Sequence, residues 1–203
     1  MLFRSVLPRA RAALDAVRQA LFADDFATAE RLCGGLMGPW TQTYLPAGNL
    51  RLHFAHAAAA TDYRRELDLD RAVCTVSYRV NDVVFTRELF ASFPDQLIII
   101  RLRASAPGQL TVAAHFDSPL RGSQRLAADG TLVFHGEAPI HVDPSYYSRS
   151  QLIYEDAGGT GMRFQMRLAA RATGGVVRSA DTGWSARDAD CVELHLSLAT
   201  SFN

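Results

Sequence analysis

Four carboxylates stand close together between residues 62 and 70, and a pair of carboxylates is what hydrolysis of a glycosidic bond requires. The members of this set are Asp62, Glu66, Asp68 and Asp70. Leu67 and Leu69 alternate with the last three, as residues on the two faces of a β-strand do. The spacing therefore favours the solvated face of a strand over a catalytic acid–base pair.

The histidines and cysteines lack the spacing of a metal site, because no His-x-x-x-His or Cys-x-x-Cys occurs. They are spread along the chain as His53, His56, His115, His135, His141, His195, Cys33, Cys74 and Cys191. The odd number and wide separation of the cysteines predict buried free thiols. The glycine-rich segment 158–161 has no lysine and no helix after it, so it predicts a turn. We therefore expect no metal and no cofactor.

Two loops carry the aromatic and planar polar side chains that could contact a sugar. Trp40, Gln42 and Tyr44 cluster in the first loop, and Tyr146 and Tyr147 lie in the second. The alternative is that these rings anchor helices to a sheet or lie in an interface with another domain, where aromatic residues are enriched. The five residues are therefore candidates for a sugar-pocket rim or for a domain interface.

A β-meander is the clearest structural pattern, and it is centred on Asn81-Asp82, two residues that tolerate the positive φ of a tight hairpin turn. Apolar and polar residues alternate on both sides of this turn. The pattern predicts the opposed pairs Val80–Val83, Tyr78–Phe85, Cys74–Leu89, Ser77–Thr86 and Thr75–Glu88. Arg87 interrupts the apolar row, and we expect its head to reach the sheet edge, with a buried ion pair as the alternative.

The remaining segments predict a mainly β protein, an antiparallel β-sandwich with an N-terminal helical hairpin. Helices are expected over 8–22 and 25–36. Further strands are expected over 96–102, 108–116, 131–135, 161–172, 176–179, 183–186 and 191–199, separated by glycine-containing turns. The expected organisation is a hairpin over residues 1–40 packed on a sandwich over 41–203, together one structural domain.

Charge and hydropathy exclude several classes of partner. The 203 residues include 21 basic and 21 acidic side chains, and all the basic ones are arginine. A net charge of zero gives no electrostatic footprint for nucleic acid or for an anionic membrane. No run approaches the ~18 apolar residues of a membrane span, and the N-terminus lacks an uninterrupted apolar signal core. We expect no nucleic-acid or membrane partner, and the localisation stays open.

Several short sequence motifs, taken in order along the chain, resemble the N-terminal domain of glycoside hydrolase family 95, the α-L-fucosidase-like enzymes. Residues 44–50 (YLPAGNL) and 61–69 (TDYRRELDL) are similar to Tyr-x-Pro-x-Gly-x-Leu and Thr-x-Tyr-x-Arg-x-Leu-x-Leu of that family. Further motifs similar to those of the family lie in residues 17–30, 116–122 and 199–203. The resemblance implies a sandwich that does not itself perform hydrolysis and that partners an α/α barrel.

Two departures from the family shape the expected function. The strands that open the family domain have no equivalent in this sequence, and the barrel that supplies the family's catalytic residues is not in it either. We therefore expect a truncated, non-catalytic domain that supports a barrel, with fucosylated oligosaccharide as a possible ligand. A free-standing carbohydrate-binding module and an inactive remnant are the alternatives.

Overall fold

The computed structural model describes residues 8–37, 43–56, 58–143, 152–155 and 161–202. The chain divides into two compact units. One unit comprises residues 1–43 and 143–150, and the other comprises residues 44–142 and 151–203. The helices lie in the first unit and the strands in the second.

The first unit contains a helical hairpin, as predicted. Helix α1 spans Pro8–Phe22 and helix α2 spans Phe26–Cys33, followed by a 3₁₀ turn over Gly34–Leu36. Asp25 caps α2, because its Oδ1 accepts a hydrogen bond of 3.0 Å from the Thr28 amide, and this bond holds the pKa of Asp25 below its usual value. The α-helical part ends three residues before the predicted end, since glycines are poor helix formers.

The second unit contains fourteen described strands, and all their pairings are antiparallel. In chain order they are β1 (Asn49–Phe54), β2 (Thr61–Asp68), β3 (Val73–Val80), β4 (Val83–Ser92), β5 (Leu97–Ala104), β6 (Leu110–Asp117), β7 (Gly122–Leu126), β8 (Leu132–Glu137), β9 (His141–Val142), β10 (Leu152–Ile153), β11 (Arg163–Thr173), β12 (Val176–Ala180), β13 (Gly183–Ala189) and β14 (Cys191–Thr200). Strands β7, β9 and β10 were not predicted, because they are short and lack a clear apolar alternation.

The strands form two main sheets. The larger sheet has the order β2-β3-β4-β5-β14-β11-β8-β7, the smaller has the order β1-β6-β13-β12, and β9 and β10 pair separately. Strand β5 lies between β4 and β14, in the interior of the larger sheet, and it confirms the strand predicted over 96–102. The fold class is therefore mainly β and antiparallel, as predicted.

One hydrophobic core joins the two sheets. Leu102 and Val192 are paired in the larger sheet and are 0% exposed, while Val112 and Ala186 are paired in the smaller sheet and are 1% exposed. Strands β5, β6, β11 and β14 contribute alternate residues to this core, as period-two alternation requires. The sequence pattern therefore specifies which face of each sheet is buried.

The three cysteines are free, as predicted, but they are not buried. Cys33 lies at the end of α2 and is exposed, while Cys74 and Cys191 are half-buried in strands. The prediction of buried thiols was therefore wrong, because apolar neighbours in sequence do not guarantee cover in the folded sheet.

The β3–β4 hairpin has the predicted register. Val80 pairs with Val83 and Tyr78 pairs with Phe85, and the other three predicted pairs are also present. In the turn, Asn81 has a φ of +50°, whereas Asp82 is not among the residues with positive φ. The backbone conformation that favours glycine is therefore confined to the first turn residue.

Arg87 adopts neither of the two predicted arrangements. Its guanidinium group lies 3.9 Å from the ring centroid of Phe54 and 4.9 Å from that of Tyr78, so it is held between an aromatic ring of each sheet. Its Nη2 donates a 2.9 Å hydrogen bond to the Tyr78 hydroxyl. Among the described residues no carboxylate pairs with it, and its buried Nε has no acceptor.

His56 completes this aromatic cluster. Its Nε2 lies 2.7 Å from the Tyr78 hydroxyl, and its ring centroid lies 4.5 Å from that of Phe85. Burial, together with the positive charge of Arg87, holds the pKa of His56 below its usual value. A proton on His56 would place a second cation beside Arg87, so the cluster favours the neutral imidazole.

We predict that Asn81→Gly and Asp82→Gly have opposite effects on stability. Asn81→Gly should be neutral or stabilising, since glycine has no steric penalty at positive φ. Asp82→Gly should destabilise by about 0.5–1 kcal/mol, because glycine only adds entropy to the unfolded chain there. Urea denaturation of the two variants measures the difference. A more stable Asp82→Gly protein would contradict the assigned turn geometry.

We predict that His56 makes stability depend on pH. Its folded pKa is depressed, so below about pH 6.5 the unfolded state binds more protons than the folded state, and stability falls as the pH drops toward the folded pKa. His56→Gln should flatten the plot of unfolding free energy against pH between about 5 and 7.5. His195→Gln serves as the control for histidine loss elsewhere. An unchanged slope in His56→Gln would refute the assignment.

Candidate functional site

The structure describes only one of the five residues predicted for a sugar rim or domain interface. Tyr44 lies just before β1 and is 98% exposed. Trp40, Gln42, Tyr146 and Tyr147 lie outside the described residues. Their assignment as rim or interface residues therefore stays a prediction.

The predicted carboxylate set does not form an acid–base pair. Asp62 bonds to Arg79 Nε at 3.0 Å, and Glu66 pairs with Arg64. Asp68 accepts hydrogen bonds from the amides of Asp70 and Arg71, which closes the turn between β2 and β3. Asp70 lies in that turn rather than on the strand as predicted, because β2 ends at Asp68. These groups stabilise an exposed edge strand.

Ion pairs on the sheet surfaces engage other carboxylates in the same way. Arg51 donates two hydrogen bonds to Asp117 across the β1–β6 pair, and these bonds hold the pKa of Asp117 below its usual value. Arg101 Nε bonds to Glu193 at 2.8 Å on the outer face of the larger sheet. Within the described ranges, no group of three His, Cys, Asp or Glu residues is placed to hold a metal ion.

A polar groove of about 830 Å³ opens on the outer face of the larger sheet. It crosses β7, β8, β11 and the end of β14, which are neighbouring strands. The groove lies on the solvent-facing side of the sheet. His135 pairs with Gln165, and because side chains alternate between the two faces of a strand, both point away from their neighbours Phe134 and Met166, which are buried in the core. The polar side chains that line it come from Arg121, Ser123, His135, Glu137, Arg163, Gln165, Thr200 and Ser201. We call this surface the outer-face groove.

Hydrogen bonds fix the donors and acceptors around His135. Arg125 Nε lies 3.0 Å from His135 Nε2, and since an arginine can only donate, Nε2 is the acceptor. The neutral ring therefore has its proton on Nδ1, and Gln165 Nε2 lies 3.2 Å from that nitrogen. Two donors do not bond to each other, so a 180° turn of the Gln165 amide would place its oxygen at this proton and direct its NH₂ group away from the ring.

Arg121 and Glu137 form the opposite side of the groove. Arg121 Nη1 lies 3.7 Å from Glu137 Oε2, and both side chains are about half exposed. The guanidinium also lies 4.3 Å from the Tyr154 ring centroid, and the Arg121 amide donates to the Tyr154 hydroxyl. The ion pair is too long for a hydrogen bond, so the carboxylate of Glu137 remains open to another donor.

His135 lies in a predicted strand, and neither it nor Arg121, Glu137 or Gln165 was among the residues predicted for a site. The available signal was the alternation of His135 and Glu137 on one face of a strand. Placing Gln165 beside them requires the pairing of β8 with β11, which joins segments about thirty residues apart. Local pattern alone does not specify that pairing.

Comparison with known proteins assigns the chain to a family of carbohydrate-active domains. The family model described as "Glycosyl hydrolase family 65, N-terminal domain" matches residues 4–203. The expectation of family 95 is not confirmed by this match. A solved structure titled "Putative kojibiose phosphorylase from human microbiome" aligns with 77% of this chain and with 23% of its own chain. The two are 8% identical in sequence, and the TM-score is 0.49. That similarity is too weak to carry an argument.

Two curated relatives are fucosidases by name. "Alpha-L-fucosidase 2" of Arabidopsis thaliana is 33% identical over 206 residues, which cover 96% of this chain and 24% of that protein. "Probable alpha-fucosidase A" of Aspergillus niger is 29% identical over 94 residues, which cover 46% of this chain and 12% of that protein. This chain thus spans about a quarter or less of the length of these relatives. It belongs to the family of N-terminal domains of glycosyl hydrolase family 65.

Proposed function

We propose that this chain is the non-catalytic N-terminal domain of an α-L-fucosidase-like glycoside hydrolase of family 95, and that it supports an α/α barrel that performs the hydrolysis. The observation that carries this proposal is the match to α-L-fucosidase 2, which covers nearly all of this chain and only a quarter of that enzyme. The motifs at residues 44–50 and 61–69 are similar to those of family 95 and support this part of the proposal.

The chemistry of the described surface is consistent with a supporting role. Glycoside hydrolysis needs two carboxyl groups facing one sugar, with one of them protonated. Asp62, Glu66, Asp117 and Glu193 are each bonded to an arginine on a sheet surface. The hydrogen bonds from Arg51 hold the pKa of Asp117 below its usual value, which makes that carboxyl a poor proton donor.

An incompletely covered sheet face also supports a partner domain. Leu67 pairs with Cys74, Cys74 with Leu89, and Leu89 with the buried Ile100, so this row lies on the core face of the larger sheet. Nevertheless Leu67 is 61% exposed and Leu89 is 41% exposed. We call Leu67 and Leu89 the open strip. Exposed apolar surface of this kind marks an interaction surface.

The alternative function is a free-standing carbohydrate-binding module, and the open polar outer-face groove favours it. No observation specifically favours the inactive remnant.

The division into a hairpin over residues 1–40 packed on a sandwich over 41–203 stays a prediction. No described helix has the length and apolar character needed to cross a membrane.

We predict that the chain alone does not hydrolyse α-L-fucosides. Aryl α-L-fucosides, aryl galactosides and 2′-fucosyllactose should be hydrolysed no faster than in buffer, because Asp62, Glu66 and Asp68 are engaged in ion pairs and a turn. Release of reducing sugar and of the aryl alcohol are the two readouts. Turnover that disappears when a carboxylate of this chain is replaced would overturn the non-catalytic assignment.

We predict that the isolated chain self-associates through the open strip. Leu67→Lys should lower the average mass in solution, because a charge on this face opposes burial. Leu69→Lys is the matched control, since Leu69 is 82% exposed in the turn after β2. Light scattering during size-exclusion chromatography measures the mass. A parent chain that stays monomeric at every concentration would contradict the prediction and would favour the free-standing module.

A further inference from the structure

We propose that the outer-face groove binds a neutral oligosaccharide through its hydroxyl groups. The proposal goes beyond a supporting role, since it assigns a ligand to a surface of this domain. It rests on side chains that retain hydrogen-bonding capacity after their internal contacts are counted. These are the carboxylate of Glu137, the side-chain amide of Gln165, the hydroxyl of Ser123 and the guanidinium of Arg163.

The groove offers donors and an acceptor side by side. Glu137 can only accept while it is ionised, whereas Arg121 and Arg163 can only donate. A sugar hydroxyl does both, and neighbouring hydroxyls on a ring can therefore satisfy a carboxylate and a guanidinium together. Hydrogen bonds that involve charged groups are about twice as strong as those between neutral groups. The lining thus matches a polyhydroxyl ligand.

The same charges disfavour other small ligands. Two guanidinium groups and one carboxylate line the groove, so a phosphate or sulfate that pairs with Arg121 or Arg163 would also face the like charge of Glu137. A divalent cation would find only one carboxylate ligand in the lining, Glu137. It would also be repelled by the Arg121 guanidinium, which lies 3.7 Å from that carboxylate. An apolar ligand would leave these polar groups unpaired, which is unfavourable. A neutral polyol avoids all three penalties.

The shape of the groove suits a short chain of sugars. It crosses four neighbouring strands, and since strands lie about 4.8 Å apart, it extends over about 14 Å. The pairs Ser123–His135 and His135–Gln165 line up across three of these strands. The ligand therefore lies across the strands, with successive hydroxyls meeting successive side chains.

The expected affinity is low. The groove is open to water, and its neighbouring aromatic rings are not free for stacking, since Phe164 is buried in the core and Tyr154 is covered by Arg121. Net hydrogen bonds contribute about 0.5–1.5 kcal/mol each, so a few of them give dissociation constants in the millimolar range, about −4 kcal/mol.

The test is a titration of the ¹⁵N-labelled chain with maltotriose, cellotriose and 2′-fucosyllactose, each up to about 50 mM to match millimolar affinity. We expect at least one sugar to shift the amide signals of Ser123, His135 and Gln165 with saturation. Inorganic phosphate should not shift them. Binding of phosphate alone, or no saturating shift in the groove with any of the three sugars, would overturn the proposal.

Two variants locate the site, and one controls for charge removal on the same face. Glu137→Ala should weaken binding by about tenfold and Gln165→Ala by about threefold, in line with a charged and a neutral hydrogen bond. Glu193→Ala removes a carboxylate from the same outer face far from the groove, and it should leave binding unchanged. Signal dispersion shows whether each variant is folded, and if Glu137→Ala unfolds, Gln165→Ala decides. Equal affinity in the folded groove variants would refute the site.

These results are separable from the proposed function. The supporting role concerns hydrolysis and assembly with a second domain, whereas the groove concerns sugar binding by this chain alone. A chain that binds no sugar can still support a barrel, and a chain that binds sugar can still fail to assemble with one.

Discussion

The structure depends on covering the apolar face of an eight-stranded sheet with a sheet of four strands. Period-two alternation gives β5, β11 and β14 of the larger sheet one apolar side, and burial of that side is the main source of stability. Where β6 and β13 contribute residues, cover is complete, and Leu102, Val192 and Leu194 are 0% exposed. The row through Leu67 and Leu89 has no such cover.

Arg87 is a charged residue on the core face of the larger sheet. A cation on an apolar face is unfavourable unless it is compensated, and here aromatic rings from both sheets together with the Tyr78 hydroxyl provide that compensation. The cluster depends on His56 remaining neutral, which connects the packing of the two sheets to pH. The outer face differs, since it carries ion pairs and the polar groove in contact with solvent.

Much of the fold follows from local patterns in the sequence. The β3–β4 register is predictable because a slip of one residue would move Tyr78 and Phe85 to opposite faces. The position of Arg87 was not predictable, because it depends on Phe54 in the other sheet. The groove was missed for the same reason, since Glu137 and Gln165 meet only after β8 pairs with β11. Pairings between distant segments are therefore what the sequence pattern leaves open.

The central claim is that this domain supports a catalytic domain without performing catalysis. Its most direct test mixes this chain with α-L-fucosidase 2 from which the matching quarter has been removed, and measures both the mass of the assembly and hydrolysis of an aryl α-L-fucoside. The account predicts a one-to-one complex and hydrolysis that depends on addition of the chain. A shortened enzyme that is fully active alone, with this chain remaining separate from it in solution, would contradict the account.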